Sequence, residues 1–264
     1  MRIATWNVNS VLARLPRLVE WLGAVEPDVL CLQELKTAEF PSDPVADLGY
    51  EVATHSTGRW NGVAILSRVG IADERPGLVG EPGYQPEDAM FEATEPRALG
   101  ATCGGVRVWS VYVPNGREPN HPHYKYKLEW LAALQATVRG ELPSHERFAV
   151  LGDFNIAPSD ADVWDPAAFV GSTHVTQPER DALAGLRTLG LHDVVPRALK
   201  YDTPFTYWDY RAGMFHKNMG MRIDLVYASA ALADAVTDAY VDRDARKGKL
   251  PSDHAPVVVD VEVG

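Results

Sequence analysis

Three residues, Cys103-Gly104-Gly105, are all that separate the strand-like run 99–102 from the run 106–113. A parallel crossover takes a dozen residues or more, so these two runs must pair as an antiparallel hairpin. Elsewhere strands and helices alternate. Arg2 to Trp6 reads as a strand ending at Asn7, residues 15–26 as an amphipathic helix with Pro16 in its first turn and Pro27 at its end, and residues 29–32 as a second buried strand. Residues 50–54, 63–67, 148–151, 223–228 and 257–263 read as further strands. Residues 123–138 read as a helix with Tyr124, Leu128, Leu131 and Leu134 on one face, and 179–189 as another stopped by Gly190. A purely parallel sheet cannot hold the hairpin, so mixed sheets covered by helices are expected. Pro41 and Pro44 make 36–49 irregular, and 200–221, dense in aromatic, Gly and basic residues, suits a functional loop. With no repeat, low-complexity tract or Gly/Ser linker, one α/β domain over 1–264 is the simplest division.

A hydrophobic content of 46% is ample for a core, yet no stretch approaches membrane-span length. The chain runs from Met1 straight into a strand-like segment, without the apolar signal that export needs, so a cytoplasmic location is expected. Cys31 and Cys103 sit in apolar runs and read as reduced core residues. A net charge of −11 argues at first against nucleic acid, but segments 97–147 and 197–249 hold 16 of the 25 Lys/Arg against 11 of the 36 Asp/Glu. A basic face on an acidic body is compatible with a phosphate-bearing partner.

The apolar run from Phe148 stops at Gly152-Asp153-Phe154-Asn155. Gly152 lets the backbone pass close to a ligand or a neighbour, and alternation points Asp153 and Asn155 to one side and Phe154 to the other. The pattern recurs: strand-like runs end at Asn7, at Glu34 and beside Asp253-His254. Asp224 lies inside an apolar strand, where a carboxylate is costly unless paired. His254 is its natural partner, because an Asp that orients an imidazole leaves the other nitrogen free for proton transfer or for a developing anion. Glu34, Asn7 and Asp253 offer hard oxygen ligands with no thiolate nearby, which suits Mg²⁺ or Mn²⁺ over zinc. Each residue alone is an ordinary cap or core residue. Five such positions with complementary chemistry are not.

These residues fall within recognisable signatures. Pro27-Asp28-Val29-Leu30-Cys31-Leu32-Gln33-Glu34-Leu35-Lys36, Tyr112-Val113-Pro114-Asn115-Gly116, Phe205-Thr206-Tyr207-Trp208-Asp209-Tyr210-Arg211 and Asn218-Met219-Gly220-Met221-Arg222-Ile223-Asp224-Leu225 resemble the exonuclease III group of apurinic/apyrimidinic endonucleases. Gly152-Asp153-Phe154-Asn155 and Ser252-Asp253-His254-Ala255-Pro256-Val257 resemble the wider endonuclease/exonuclease/phosphatase superfamily. Tyr227 departs from the usual Leu or Val, and 191–199 is a looser match.

The resemblance implies a four-layered α/β sandwich of two packed mixed sheets flanked by helices. It also implies Mg²⁺- or Mn²⁺-dependent hydrolysis of duplex DNA by a monomer: incision 5′ to abasic sites, 3′→5′ exonuclease action and cleaning of 3′ ends. Glu34 would bind the metal with Asn7 and Asp253 nearby, and a second ion would sit near Asp153, Asn155 and His254. Asp153 would move a proton and Asn155 would hold the phosphate. Tyr112 and His254, the latter oriented by Asp224, would stabilise the pentacovalent phosphorane. Asn115 belongs to the matching Tyr112 signature as a substrate contact. Tyr207, Met221 and Ile223 would form a lesion pocket with Trp208 packed beneath it, and Arg117 and Arg211 would enter the DNA. The main rival is a phosphatase or phosphodiesterase of the same superfamily acting on inositol phosphates, nucleotides or lipid head groups. A regulator that binds nucleic acid without cleaving it should lack at least one site residue, and none is missing.

Overall fold

The computed structural model describes residues 1–85 and 90–262. Its strands are β1 (Arg2–Asn7), β2 (Val29–Gln33), β3 (Glu51–His55), β4 (Val63–Ser67), β5 (Ala72–Pro76), β6 (Ala98–Cys103), β7 (Val106–Tyr112), β8 (Phe148–Asp153), β9 (Leu191–Asp193), β10 (Arg197–Ala198), β11 (Asp224–Ser229), β12 (Val236–Val241) and β13 (Val257–Val261). The helices are α1 (Val11–Val25), α2 (Asp43–Ala46), α3 (Pro122–Glu141), α4 (Gln177–Thr188) and α5 (Ala230–Asp234).

The strands form a seven-stranded sheet, β10-β12-β13-β1-β2-β4-β3, and a six-stranded sheet, β5-β6-β7-β8-β11-β9. Both are mixed: β1 and β2 run parallel, as do β7 and β8, while β6 and β7 form the antiparallel hairpin that three linking residues demand. Alternation along each strand then builds three apolar layers. Ile3, Cys31 and Val257 of the first sheet meet Val108, Leu151 and Val226 of the second. Phe148, Val150 and Tyr227 face the other way, against Trp130 and Leu134 of α3 and Leu183 and Leu186 of α4. Trp6, Leu30 and Leu32 face Leu18, Trp21 and Leu22 of α1. Helix, sheet, sheet, helix: the sandwich has four layers.

Some local expectations need correcting. Helix α1 begins at Val11, with Ser10 as its cap, so Pro16 lies in the second turn and not the first. Pro16 is exposed and, lacking an N–H, cannot donate to the Leu12 carbonyl one turn earlier. The irregular segment 36–49 contains one helical turn, α2, with Pro44 in its first turn. Strands β5, β9, β10 and β12 were not expected: β5 is an exposed edge strand of Ala-Asp-Glu-Arg-Pro, and β10 has two residues. Val263, at the end of the expected last strand, lies outside the described residues. Cys31 and Cys103 are buried and free. Among the described residues no helix is long and apolar enough to cross a membrane.

At Gly152 (φ +152°), a Cβ would lie 1.9 Å from the Val111 carbonyl oxygen of β7. The close approach is to a neighbouring strand, and it carries the end of β8 to the edge shared by both sheets.

Candidate active site

Asn7, at the end of β1, reaches two carboxylates at once. Its Nδ2 donates to Glu34 Oε1 at 2.8 Å and to Asp153 Oδ2 at 2.9 Å. Asp153 Oδ1 accepts the Asn155 backbone N–H at 2.9 Å. His254 Nε2 lies 3.8 Å from Asp153 Oδ2, and its Nδ1 lies 2.8 Å from Asp224 Oδ2. Asp224 and Asp153 are direct partners across β11 and β8, so strand register alone brings the two acids together. Thr206 Oγ1 accepts the backbone N–H groups of Ile223 and Asp224, both at 3.1 Å. Ser252 Oγ, 2.6 Å from the Asn7 carbonyl and 3.2 Å from the His254 N–H, ties the end of β1 to the segment before β13.

Several of these residues sit in left-handed backbone: Asn9, Ser10, Glu34, Lys36 and Asn155 have φ between 45° and 86°. Such conformations cost of order 1–3 kcal/mol each for non-glycine residues and persist where surrounding structure holds them. Here they turn strand ends so that short polar side chains converge.

The charges at this edge are strongly coupled. Burial pushes the Asp153 carboxyl up to about 7, and Asp224 and Glu34 add to the rise against the opposing pull of His254. For His254, burial opposes the charged form, but Asp224 and Asp153 outweigh it and raise the imidazole to about 10. Burial also works against ionised Glu34, yet Lys36, 2.6 Å away, and Asn7 bring it below its ordinary value. Burial, then Glu34, pushes the Tyr112 phenol well above its ordinary value. Asp224 Oδ1 is buried without a hydrogen-bond partner among the described residues, so its charge is spent on His254.

Glu34, Asp153 and His254 present ligand atoms all within 4.8 Å of one another, a candidate metal site. Two crowded carboxylates, one of them held up near neutrality, fit a hard divalent cation, which would relieve their repulsion. Two expected ligands are engaged otherwise. Asn7 turns its amide nitrogen to the carboxylates, so it orients them here and does not add an oxygen. Asp253 stands outside the three-residue group, its Oδ1 accepting from Asn9 Nδ2 at 3.0 Å. Asn155 Oδ1 lies 3.3 Å from Asn115 Nδ2, and Asn155 Nδ2 donates to the Val113 carbonyl at 3.0 Å.

The remaining expected contacts surround this centre. The Arg97 guanidinium, held by Glu95, lies 4.7 Å from the centre of the Tyr112 ring. Tyr207 packs its ring 4.9 Å from that of His254. Tyr207, Met221 and Ile223 do meet, but as a packed cluster with Val163 and Ala157 and not an open pocket; Met221 and Ile223 are only 6% and 2% exposed. Trp208 is buried, edge-on to Phe215, and supports the loop without reaching a surface that substrate could touch. Arg117 is exposed, and exposed Arg211 is gripped by Asp209.

Sequence reasoning missed Asn9 and Lys36, which bridge Asp253 to Glu34, and Thr206, which holds Asp224. Lys36 and Thr206 both lie inside signature segments. Asn9 had no signal of its own, since its role depends on partners distant in sequence.

The comparisons agree with this geometry. Residues 4–254 match the endonuclease/exonuclease/phosphatase family. Exodeoxyribonuclease III of Haemophilus influenzae is 29% identical over 97% of this chain and 98% of its own length. The solved 3′-5′ exonuclease NExo of Neisseria meningitidis superposes with a TM-score of 0.91 at 39% identity, both chains fully covered. An AP endonuclease of Archaeoglobus fulgidus does so with a TM-score of 0.90 at 32% identity, again over both whole chains. With a profile spanning nearly its whole length and full-length structural relatives above 30% identity, the chain belongs to the endonuclease/exonuclease/phosphatase family, among the exonuclease III and AP endonuclease relatives.

Proposed function

We propose that this protein is a Mg²⁺- or Mn²⁺-dependent nuclease that processes 3′ ends of duplex DNA, removing terminal nucleotides and 3′ phosphates. The observation that carries the reading is the convergence of Glu34 and Asp153 on the Asp224-oriented imidazole of His254. A 3′ phosphatase of Neisseria, NExo, has been solved bound to a product DNA hairpin and is 39% identical to this chain, which supports DNA as the substrate.

Glu34 and Asp153 would hold the cation, with Asn7 orienting the two carboxylates and His254, its Nδ1 on Asp224, beside them as a donor. When bound, the cation neutralises charge on the phosphate. The chain's own groups divide the remaining work. His254, held charged by Asp224 and Asp153, donates from Nε2 to the negative charge that builds on phosphorus-bound oxygen. Asp153 takes a proton from the attacking water or returns one to the leaving oxygen. Tyr112 stays protonated as a second donor.

Incision at abasic sites is the second reading, favoured by the likeness to an AP endonuclease and by the meeting of Tyr207, Met221 and Ile223. An extruded abasic sugar needs a space to enter, and that cluster is packed. End-labelled duplexes carrying either a nick with a 3′ phosphate or a tetrahydrofuran site test both readings, with and without EDTA. We expect 3′-phosphate removal to exceed incision and EDTA to abolish both. Faster incision reverses the order of the two readings. Activity that survives EDTA rules out the metal-dependent reaction. If DNA is left intact but a small phosphate ester is hydrolysed, the phosphatase alternative holds. Tyr207→Ala should lower incision more than 3′-phosphate removal; equal losses would assign Tyr207 to the whole site.

A further inference from the structure

We infer that Lys127 is a positioning residue that fixes the two asparagines facing the phosphate in the reaction proposed above, an inference that rests on that reading. Lys127 lies on the sheet-facing side of α3, its side chain fully buried. Its Nζ donates to the Asn155 carbonyl at 2.7 Å, the Asn115 carbonyl at 3.1 Å and Glu179 Oε1 at 2.5 Å. Thr173 Oγ1 lies farther off, at 3.5 Å; an ammonium has three hydrogens, and the three closer acceptors use them.

Glu179, the third residue of α4, is equally buried. Its carboxylate also accepts from Thr173 Oγ1 at 2.7 Å, from the His174 N–H at 3.0 Å and from Thr176 N and Oγ1 at 3.0 and 2.7 Å. One ion pair therefore joins α3, the turn at Asn115, the turn at Asn155 and the start of α4. The turn closes tightly on the lysine stem: a Cβ on Gly116 (φ +92°) would lie 3.1 Å from Lys127 Cδ and 2.7 Å from Thr173 Oγ1.

A wholly buried ion pair adds little stability over apolar residues of the same size, because desolvation offsets the attraction. What the ammonium does, and a methyl group cannot, is pin two backbone carbonyls. Those carbonyls belong to Asn115 and Asn155, whose side-chain amides touch. Asn155 Nδ2 spends one hydrogen on the Val113 carbonyl, which leaves the other for a substrate oxygen. Its direction is set by the turn that Lys127 holds.

The test compares wild type with Lys127→Met/Glu179→Gln, which removes both buried charges together. On a duplex with a 3′-phosphate nick, kcat should fall by about a hundredfold, the cost of a misplacement near 1 Å. KM should stay within about threefold and the pH profile should keep its shape. In parallel, the side-chain amide NMR signals of Asn115 and Asn155 should shift while that of Asn7 stays in place. Unchanged kcat, or unshifted Asn115 and Asn155 signals, overturns the inference. If wild type cleaves no DNA, the reading of the substrate has failed and the NMR comparison decides the role of Lys127 alone. Should the double variant not fold, Thr173→Val carries the same test, since Thr173 Oγ1 lies 3.1 Å from the Asn115 carbonyl and 2.7 Å from Glu179. It is expected to lower kcat about threefold or more, and full activity with unmoved amide signals would refute the role.

Discussion

Asp153→Asn should make the protein inactive and, in EDTA, more stable. Asp153 is directly opposite Asp224 across two strands and close to Glu34, and its carboxyl is raised from 3.8 to about 7. For an acid whose folded pKa lies above its unfolded one, the unfolded chain ionises first. Stability is therefore lost as pH climbs from about 4 to 7, and the full penalty applies above 7. A shift of roughly three units corresponds to about 4 kcal/mol. The amide removes that penalty but returns part of the gain, because it leaves Asn7 Nδ2 and charged His254 short of an acceptor, a loss of order 1–3 kcal/mol. The net gain is about 1–3 kcal/mol, a rise in Tm of a few degrees or more in a chain of this size. Thermal melts in EDTA from pH 4 to 8 should show the variant slightly less stable than wild type near pH 4, the order reversing as pH rises and the variant the more stable at pH 8. Adding Mg²⁺ should then stabilise wild type more than the variant. A difference independent of pH, or a variant less stable at pH 8, would refute the electrostatic account of this edge.

Asp224→Asn and His254→Asn should each slow cleavage, His254→Asn by roughly two to four orders of magnitude. Because the 2.8 Å contact makes them one unit, their double variant should be little worse than His254→Asn, and effects that multiply independently would disprove the pairing. Glu34→Ala should raise the Mg²⁺ concentration at half-maximal activity, and an unchanged titration removes Glu34 from the ligand set. Gly152→Ala should destabilise by more than about 3 kcal/mol, since backbone must move to admit a Cβ 1.9 Å from the Val111 oxygen; a normal denaturant midpoint would contradict this.

Much of this edge could be read from the order of residues, because strand ends obey local rules. A run of apolar residues that stops at Gly152-Asp153 reports both the strand and what it delivers, and three residues between β6 and β7 report their pairing. Asp224 betrayed itself as a carboxylate in apolar company, and the structure supplies His254 as the expected partner. Where packing decides, the sequence is silent. Edge strand β5 has no alternation to detect, since none of its side chains is buried. Met221 and Ile223 look alike whether they line an opening or close it, and only Val163 and Ala157, from another part of the chain, determine which. Lys127 did leave a trace, falling in step with Tyr124, Leu131 and Leu134 on the buried side of α3, but its partner Glu179 lies beyond two intervening loops.

The left-handed residues at the site bear on any attempt to move this chemistry elsewhere. Glu34 and Asn155 are presented by turns that follow β2 and β8, not by the strands themselves. Copying Glu34, Asp153 and His254 onto straight strand ends of another sandwich would reproduce their identities but not their directions. A graft would have to carry the segments around Asn9-Ser10 and Glu34 to Lys36 as well, with the contacts that keep them bent. The transferable unit is thus a set of shaped loops, and the scaffold that receives them must tolerate their strain before any ligand is present to help.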